Sequence, residues 1–375
     1  MRTFFSGGGE IKGTEFVQPV TNKSNDNIPI NLNNIADYPK LNAGDLLLMR
    51  GDIIHKTQDL LTDRVAVTVR CVDGEFILNK EKLWLDWIEP NKDIINVYFH
   101  YKDVNMIKSP WILSHSLPPK QIAQTSYYFV VPAYISILSF AYYHDKANTW
   151  FCLLTDSCVP IISPQKFRQL FLQNYFKSVI KCRPAYWNVE IHKRANLRLL
   201  SKEYQLANDP WFTLTRQHVL CCIDFLAKKH DIYKKVCGGG LANESLFAIV
   251  LQSYKQLDSD RVINESATIA DWSRMPNPTS PHLFIEGNQV DLDIITKELT
   301  NNPYAMFLRK VGKTFPDSVL LDFIYNKDFN PTIIISKKNN KYSLISLYNL
   351  YRFAYICGLL YLFYCISFVV SEVVI

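Results

Sequence analysis

The segment GGGLANESLFAIVL, residues 238–251, places one carboxylate between three glycines and an apolar stretch. Asn243 is a good N-cap residue and the apolar residues repeat at helical spacing, which predicts that Glu244 lies in the first turn of a helix. There the helix dipole favours the ionised carboxylate, the form that a general base needs. The glycines allow the backbone to turn sharply and bring this terminus to a crevice. Acids are also common in first turns because they stabilise helices, so the pattern alone leaves both interpretations open.

Alternating strands and helices come before this segment. NVYFHYK (96–102) and TWFCLL (149–154) are typical of strands, and PAYISILSFAYYHDKAN (132–148) of an almost wholly buried helix. The Ser-Pro pair at 163–164 begins a further helix, as N-cap and first-turn residue. This order predicts an α/β fold in which helices flank a mostly parallel sheet. Because ligands of such sheets bind beyond the carboxyl ends of the strands, TDSC (155–158) is expected beside the crevice.

The composition of the 375 residues is that of a globular protein, with 48% hydrophobic and 20% charged residues. The formal charge of +6 is too small to indicate nucleic acid as a partner, although it suits an anionic small substrate. The nine cysteines include no CxxC pair and no metal-like spacing, so we expect neither a disulfide framework nor a zinc site. Cys221 and Cys222 are expected to pack as small apolar groups.

The two ends of the sequence bear on localisation. MRTFFSGGGEIKG lacks the apolar core of a signal peptide, so none is expected. Residues 353–371 carry no charge, and their number is near the lower limit for a helix that spans a bilayer. As a tail anchor, this segment would leave the preceding basic residues and the bulk of the protein in the cytosol. A terminal core helix or strand pair is the alternative, so a membrane-associated and a cytoplasmic protein both stay open.

Six blocks of the sequence occur in the order found in the core-2/I-branching family of glycosyltransferases, in the variant closer to its plant-type members. They lie between about residues 80 and 315: NVYFHYKD, SPWILSHSLPPKQIAQTSYYFVVPAYISILSFAYYHDKANTWFCLLTDSCVPIISPQKFRQLF, NDPWFTLTRQHV, GLANESLF, TIADWS and MFLRKVGK. The joint order is far more specific than any one block. The resemblance implies a GT-A-like α/β fold and transfer of a sugar, commonly N-acetylglucosamine or xylose, from a UDP-sugar to a glycan or protein acceptor with inversion. It implies neither a metal nor a cofactor besides the donor substrate.

The resemblance also favours the catalytic interpretation of Glu244. The general base of the family is the Glu of an Asp-Glu pair, and that pair falls at Asn243-Glu244. Such a base takes the proton of the acceptor hydroxyl as its oxygen attacks. Asn in place of the Asp is a departure from the family, because the pair loses one charge while keeping a hydrogen-bonding group.

On the donor side, the resemblance points to cations that neutralise the leaving diphosphate in place of a metal. In MFLRKVGK, Lys310 is the best match and Arg309 the next, whereas Lys313 fits a solvated basic face. Asp156 and Ser157 are expected to meet the uridine or the ribose, with a plain turn as the alternative.

On the acceptor side, the resemblance points to aromatic and charged residues in two blocks. TIADWS places Asp271 and Trp272 where the family has an acceptor-side aromatic residue. NDPWFTLTRQHV supplies Trp211 and Arg216 to the acceptor or donor cleft. The alternatives are a core position for each Trp and a salt bridge at the start of a helix for Arg216.

The N-terminal part differs in pattern from the rest. GDLLLMRGDIIHKTQDLLTDRVAVTVRCV (44–72) predicts short strands between Gly-Asp turns. Over about residues 40–75 it resembles the closing strands of a phytanoyl-CoA-dioxygenase-type jelly roll, which implies His55 as an iron ligand and Arg64 as a 2-oxoglutarate anchor. Such an iron site needs two His and one carboxylate, and no histidine precedes His55. We therefore interpret this part as a remnant without oxygenase activity.

These observations predict three segments: a dioxygenase-like β remnant at 1–76, a glycosyltransferase domain at 80–320, and a C-terminal extension at 321–375. The expected function is that of an inverting, metal-independent, UDP-sugar-dependent glycosyltransferase. An inactive relative that binds glycan or scaffolds a partner is the alternative. It is motivated by Asn243, and by GEFILNKEKLWLDW (74–87) being the only candidate for the apolar strand with which the family begins.

Overall fold

The computed structural model describes residues 63–70, 77–277 and 280–329, together with the backbone of four short strands nearer the N-terminus. Those strands are β1 (Arg2–Phe5), β2 (Thr14–Phe16), β3 (Leu46–Met49) and β4 (His55–Thr57). β1 pairs with β3 and β2 pairs with β4, both in antiparallel fashion. A small N-terminal β fragment is thus present, as the sequence predicted.

The elements of the main body alternate between strand and helix. The strands are β5 (Arg64–Arg70), β6 (Ile95–His100), β7 (Asn148–Thr155), β8 (Val159–Pro160), β9 (Ser178–Val179), β10 (Cys182–Pro184), β11 (Leu206–Asn208), β12 (Thr213–Thr215), β13 (Val262–Ile263), β14 (Thr268–Ala270) and β15 (Phe307–Arg309). The helices are α1 (Glu81–Ile88), α2 (Pro110–Ser114), α3 (Val131–His144), α4 (Pro164–Asn174), α5 (Arg216–Lys228), α6 (His230–Cys237), α7 (Leu246–Ser253), α8 (Gln289–Asn301) and α9 (Asp317–Tyr325).

Six strands form the main sheet, in the order β13-β9-β12-β7-β5-β6. β5 pairs in parallel with both β6 and β7, and β13 pairs in parallel with β9. β12 runs antiparallel to both of its neighbours, β7 and β9. The predicted α/β class, a mostly parallel sheet flanked by helices, is therefore confirmed.

The position of β5 differs from the sequence prediction. The sequence assigned this strand to the dioxygenase-like remnant, but its residue Val67 pairs with Val97 of β6 on one side and with Cys152 of β7 on the other. Residues 65–70 are all buried, as expected for a strand that is covered on both faces of a parallel sheet. That placement of residues 64–70 in a separate fragment is wrong, because the strand joins the sheet of the main body.

The same finding changes two further expectations. Arg64, expected to anchor 2-oxoglutarate, donates from Nη1 to Asn96 Oδ1 at 3.1 Å within the main body. The side chain of His55 lies outside the described residues. The second half of the stretch proposed as the missing first strand of the family, residues 81–87, belongs to the helix α1, in which Leu83, Trp84 and Trp87 are buried. The strand that comes first along the chain in the six-stranded sheet is β5.

The two faces of the sheet carry separate hydrophobic clusters. On β5, Val67 faces the cluster that contains Phe167 of α4 and residues of α1, α8 and α9. Its neighbour Ala66 faces the cluster that contains Tyr134 of α3, Phe247 of α7 and residues of α5. Successive side chains of a strand point to opposite faces, so this alternation fixes helices on both sides of the sheet.

A second, three-stranded sheet has the order β14-β15-β8. β15 pairs in parallel with β14 and antiparallel to β8, so Phe307 lies opposite Pro160 and Leu308 opposite Val159. Since β8 follows the turn after β7, this sheet brings the end of β15 beside the carboxyl end of β7. The late basic block and the TDSC turn are 150 residues apart in sequence, and this pairing makes them neighbours.

Local predictions hold where a single residue decides the structure. The Ser163 side chain accepts a hydrogen bond from the Lys166 N–H at 3.1 Å, which caps α4 as predicted. α3 ends at His144 rather than at residue 148, because Asp145 has an extended backbone and its side chain accepts from the Ala147 N–H at 2.8 Å. Cys221 and Cys222 are buried in α5, as expected.

Within the described ranges, no helix is both long and apolar enough to cross a bilayer. The candidate span at 353–371 lies outside these residues. The chain forms two compact units, the first of which ends at Asn330, and the site described below belongs entirely to the first unit.

Candidate active site

A cleft of about 570 Å³ opens where β11, the loop before α7, β14 and α8 meet. Its wall is unusually rich in charge. The basic residues are Lys181, Arg183 and Arg194, and the acidic ones are Asp209, Glu244, Glu265 and Glu298. Two tryptophans, Trp211 and Trp272, also line the cleft. Three of the residues predicted from the sequence, Glu244, Trp211 and Trp272, thus line this cavity.

Glu244 lies on the wall of the cleft, but not in the first turn of a helix as predicted. Ala242–Glu244 form a single 3₁₀ turn, and α7 begins at Leu246. The Asn243 side chain does not cap the helix. The physical reason is that Leu241 adopts a left-handed backbone with φ 58°, so the chain makes a separate tight turn before the helix can start.

Gly239 explains how this turn reaches the cleft. A Cβ atom at Gly239 would lie 2.4 Å from the backbone nitrogen of Asn196, so only glycine permits the observed approach of the two segments. The Ala195 N–H donates to the Gly240 carbonyl at 2.9 Å and locks them together. The glycines thus serve close packing against residues 194–196, where the sequence had suggested only a sharp turn.

The close approach brings Arg194 to Glu244. The Arg194 Nη2 atom lies 3.0 Å from Glu244 Oε2, and the Glu244 side chain is only 17% exposed. Oε2 is buried and, among the described residues, receives no hydrogen bond of acceptable geometry, so the contact with Arg194 is mainly electrostatic. Burial raises the pKa of Glu244 above its ordinary value; Arg194 opposes this shift and Asp209 adds to it.

Asn208 holds the Ala242–Glu244 turn in place through hydrogen bonds of its side chain. Its Nδ2 donates to the Asn243 carbonyl at 3.0 Å, and its Oδ1 accepts from the Ala248 N–H at 3.1 Å. One buried side chain therefore ties the 3₁₀ turn to the first residues of α7, and the carboxylate of Glu244 is carried on a rigid support. Sequence reasoning missed Asn208, although its position directly before the Asp-Pro-Trp turn was a usable signal.

Trp211 and Trp272, both predicted from the sequence to line a binding cleft, lie next to each other on the wall of this one. Their rings are nearly parallel, with an interplanar angle of 19° and centroids 6.4 Å apart. Trp211 is 8% exposed, whereas Trp272 is 42% exposed. An indole left open to solvent beside a polar cavity offers a flat apolar face, the kind of surface on which the C–H face of a sugar stacks.

Arg309 joins the end of β7 to this cleft. It is buried, and its Nη1 donates to the hydroxyls of Thr155 and Ser157. Its guanidinium carbon lies 4.2 Å from the ring centroid of Trp211. Ser157 and Arg309, both expected on the donor side, are thus in direct contact, and Trp211 separates them from the open cavity.

Asp156 and Lys310 lie on either side of this contact. The Asp156 carbonyl accepts from the Asn79 N–H at 2.9 Å, and the Asp156 N–H donates to the Arg70 carbonyl at 3.3 Å, which places Asp156 at the ends of β5 and β7. The Lys310 carbonyl accepts from the Phe284 N–H at 2.8 Å. Lys310 is half-buried, and neither it nor Arg309 lines the cleft; Arg309 is linked to the cleft through its contact with the ring of Trp211.

Asp271 does not reach the cavity, in contrast to the expectation that it contacts the acceptor. Its carboxylate accepts from the backbone and hydroxyl of Ser273 and from Arg274 Nε at 2.6 Å, and Arg274 also pairs with Asp291 at 2.8 Å. Burial would raise the pKa of Asp271, but these hydrogen bonds outweigh it and the pKa lies below its ordinary value. Asp271 therefore holds the loop that presents Trp272.

Arg216 lies beside the amino end of β7, the opposite end from Thr155, and is not among the residues that line the cleft, so the prediction that it lines the cleft is wrong. It begins α5 after Thr215, which pairs with Trp150 near the amino end of β7. Its guanidinium donates to the carbonyls of Tyr142 and Asn148 at 2.9 Å each. Arg216 has a structural role, as the alternative interpretation predicted, but its contacts differ from the expected salt bridge. It stabilises the α3–β7 connection by donating hydrogen bonds to backbone carbonyls.

The cleft cations were the main group that sequence reasoning missed. Arg183 pairs with Asp209 at 3.1 Å and lies 5.0 Å from the ring centroid of Tyr186. Lys181 lies 3.7 Å from Glu265. Both cations belong to the short KCRPAY stretch, whose basic and aromatic residues are interleaved; that interleaving was the signal available in the sequence. In the described ranges no group of three His, Cys, Asp or Glu side chains could hold a metal ion.

Residues 75–290 match the family model described as Core-2/I-Branching enzyme. β5 and the late pair Arg309 and Lys310 lie outside the matched range, although the structure packs them against it. No curated protein sequence matches the chain. Among solved structures, 4-diphosphocytidyl-2C-methyl-D-erythritol synthase from Anaerococcus prevotii DSM 20548 is similar over 64% of this chain and 99% of its own, at 11% identity and a TM-score of 0.31.

Proposed function

Because this chain belongs to the Core-2/I-Branching enzyme family, a family of glycosyltransferases, we propose that it transfers a sugar from a UDP-sugar to a hydroxyl of a glycan or glycoprotein with inversion and without a metal ion. N-acetylglucosamine and xylose are the proposed donor sugars. Glu244 is the proposed general base, and the cleft beside it takes the acceptor.

In the proposed reaction, Glu244 accepts the proton of the acceptor hydroxyl while the hydroxyl oxygen attacks the anomeric carbon of the donor sugar. The bond between that carbon and the diphosphate oxygen breaks, and UDP leaves with the electron pair. Attack from the face opposite the leaving group inverts the anomeric configuration. The base must be ionised at the start, and fixed cations must neutralise the charge that develops on the diphosphate.

The single observation that carries this proposal is the state of the Glu244 carboxylate. Glu244 lines the cleft with a side chain that is 17% exposed, while its Oε2 atom is buried 3.0 Å from Arg194 Nη2. One carboxylate oxygen is therefore held against a cation, and the side chain keeps some exposure on a cavity large enough for a ligand. An acceptor hydroxyl bound in the cleft beside Glu244 would be placed to transfer its proton to this carboxylate.

The surroundings of Arg309 support a donor that carries a diphosphate. Its guanidinium is buried, and its partners within the described ranges are the hydroxyls of Thr155 and Ser157 and the ring of Trp211. None of these carries a negative charge, and a buried cation without one is strongly disfavoured. A diphosphate beside Arg309 and Lys310 would balance that charge.

The charges of the cleft support a neutral acceptor. Its lining residues include three cations and four carboxylates, so the wall has no positive excess that would attract an anionic glycan. The open face of Trp272 suits a sugar ring. We therefore propose a neutral saccharide as the acceptor.

The test is UDP release from a panel of UDP-sugars, with neutral glycans as acceptors and with EDTA present. We expect release with at least one donor, with no loss in EDTA, and a fall of about 10²- to 10⁴-fold in kcat for Glu244→Gln, because that change removes a general base. Glu203→Gln, an exposed acid outside the cleft, is the matched control and should keep full activity. Unchanged turnover in Glu244→Gln would contradict the assigned base.

A second candidate function is that of an inactive relative which binds glycan. Asn243 favours it, because an amide stands where the family pair carries a second carboxylate. The same panel separates the two functions. Glycan binding without UDP release from any donor would support the inactive relative, and turnover would exclude it.

A further inference from the structure

Arg194 has a relationship with Glu244 that no other cation of the cleft shares. Arg183 pairs with Asp209, and Lys181 lies near Glu265. Arg194 alone of the three lies within ion-pair distance of the proposed base, with Nη2 3.0 Å from Oε2. Its side chain is 22% exposed, so the pair is largely shielded from solvent, and its charge is less screened than that of a surface pair.

The backbone gives this pair a fixed geometry. Arg194 forms an isolated parallel bridge with Gly240, four residues before the base. The missing Cβ of Gly239 allows Ala195 and Asn196 to approach, and both of these residues have positive φ. The guanidinium also lies 4.8 Å from the ring centroid of Trp187, so its far side is packed. Neither partner can move away without breaking these contacts.

Several other charges act on the base. Arg183 attracts its negative charge more weakly than Arg194 does, and Asp209 repels it. Asp209 is itself held by Arg183 and by the Ser266 hydroxyl. Burial is the strongest influence on the Glu244 carboxylate and favours its neutral form. Arg194 is thus the main group that favours the anion.

We propose that Arg194 is a positioning residue for the reaction: it holds the Glu244 carboxylate at the cleft wall and sustains the negative charge that a general base needs. This inference rests on the proposed role of Glu244. The pair engages Oε2 without an aligned hydrogen bond, and a carboxylate offers several lone pairs, so Arg194 does not block the proton from the acceptor.

The first test is the pH dependence of kcat/KM in Arg194→Met and Arg194→Lys. Met removes the charge at similar length, so the acidic limb of the profile should move to higher pH; on that limb kcat/KM should fall about tenfold for each pH unit of the move and recover in alkali. Lys keeps the charge and should restore most of the wild-type profile. Arg261→Met, at an exposed pair with Asp258, is the control and should not move the limb. An acidic limb in Arg194→Met at the wild-type pH would overturn the proposal.

A second measurement does not depend on turnover. The carboxyl carbon of Glu244 is titrated by NMR in selectively labelled protein, with Glu244→Gln used to assign the signal and thermal unfolding used to show that each variant folds. We expect the Glu244 pKa to rise in Arg194→Met relative to wild type. An unchanged Glu244 pKa in Arg194→Met would show that Arg194 has no such role. A failure of the proposed function alone gives a different result: the Glu244 pKa still rises in Arg194→Met, but Glu244→Gln keeps its activity.

Discussion

The guanidinium of Arg309 covers the ring of Trp211, with its central carbon 4.2 Å from the ring centroid. The ring of Trp272 is also next to Trp211 and nearly parallel to it, with the two centroids 6.4 Å apart. The order Arg309, Trp211, Trp272 therefore leads from the ends of the sheet strands to the open cleft. The buried ring of Trp211 thus joins Arg309, the cation proposed to face the donor, to Trp272, the indole proposed to face the acceptor.

This arrangement predicts different effects at the two tryptophans. Trp272→Ala removes an exposed face, so the KM for the acceptor should rise about fivefold, at a stacking contribution of roughly 1 kcal/mol, with little change in thermal stability. Trp211→Ala removes a buried ring and the support of Arg309, and should lower the free energy of unfolding by about 3–5 kcal/mol. Initial-rate kinetics and urea unfolding measure the two. Equal stability losses at both positions would contradict the division of roles.

Arg309 is predicted to act on the donor. Arg309→Met removes the charge but keeps an apolar side chain over Trp211, so the KM for the UDP-sugar should rise more than the KM for the acceptor. Binding of UDP alone, measured by calorimetry, should weaken by at least about tenfold. Arg216→Met is the control, because it removes a cation beside the amino end of β7, away from Arg309. It should lower the free energy of unfolding and leave UDP affinity unchanged. Undiminished UDP binding in Arg309→Met would remove the assigned role.

Gly239 and Gly240 form a matched pair of test positions. A methyl group at Gly239 would collide with the backbone of Asn196 at 2.4 Å, so Gly239→Ala should lower the free energy of unfolding by about 1–3 kcal/mol and reduce kcat by displacing Glu244. At Gly240 the nearest atom to a new Cβ is 3.5 Å away, an ordinary contact, so Gly240→Ala should fold and react like wild type. Chemical denaturation and turnover compare them. Similar behaviour of both variants would show that the close approach is not required.

The sequence predicted the fold class and several elements because local signals agreed with the final structure. Ser163 followed by Pro is a cap in any context, and the buried strands are apolar throughout. The strand at 64–70 was assigned to the wrong neighbours because alternating valines predict a strand without specifying its partners. Its pairing with residues 95–100 and 148–155 is a property of the assembled sheet.

The site was predictable in part. Glu244, Trp211 and Trp272 were placed in one cleft by family resemblance, and the structure brings them together. Arg194 and Asn208 escaped notice because their roles arise from contacts across about 50 and 35 residues, which no local pattern records. The burial that raises the pKa of Glu244 is likewise a property of packing.

Two buried histidines predict how stability depends on pH. Burial lowers the pKa of His100 and of His218 from 6.5 to about 4 in each case. Below pH 6.5 the unfolded chain binds protons that the folded chain does not, so the free energy of unfolding should fall as the pH drops from about 6.5 towards 4, by up to about 1.4 kcal/mol per pH unit for each histidine. Urea unfolding at intervals between pH 7 and 5 measures this slope. His100→Gln and His218→Asn retain a polar atom near the nitrogens that contact Ala123 and Ser178, and together they should flatten it. Persistence of the wild-type slope in the double variant would assign the dependence to other groups.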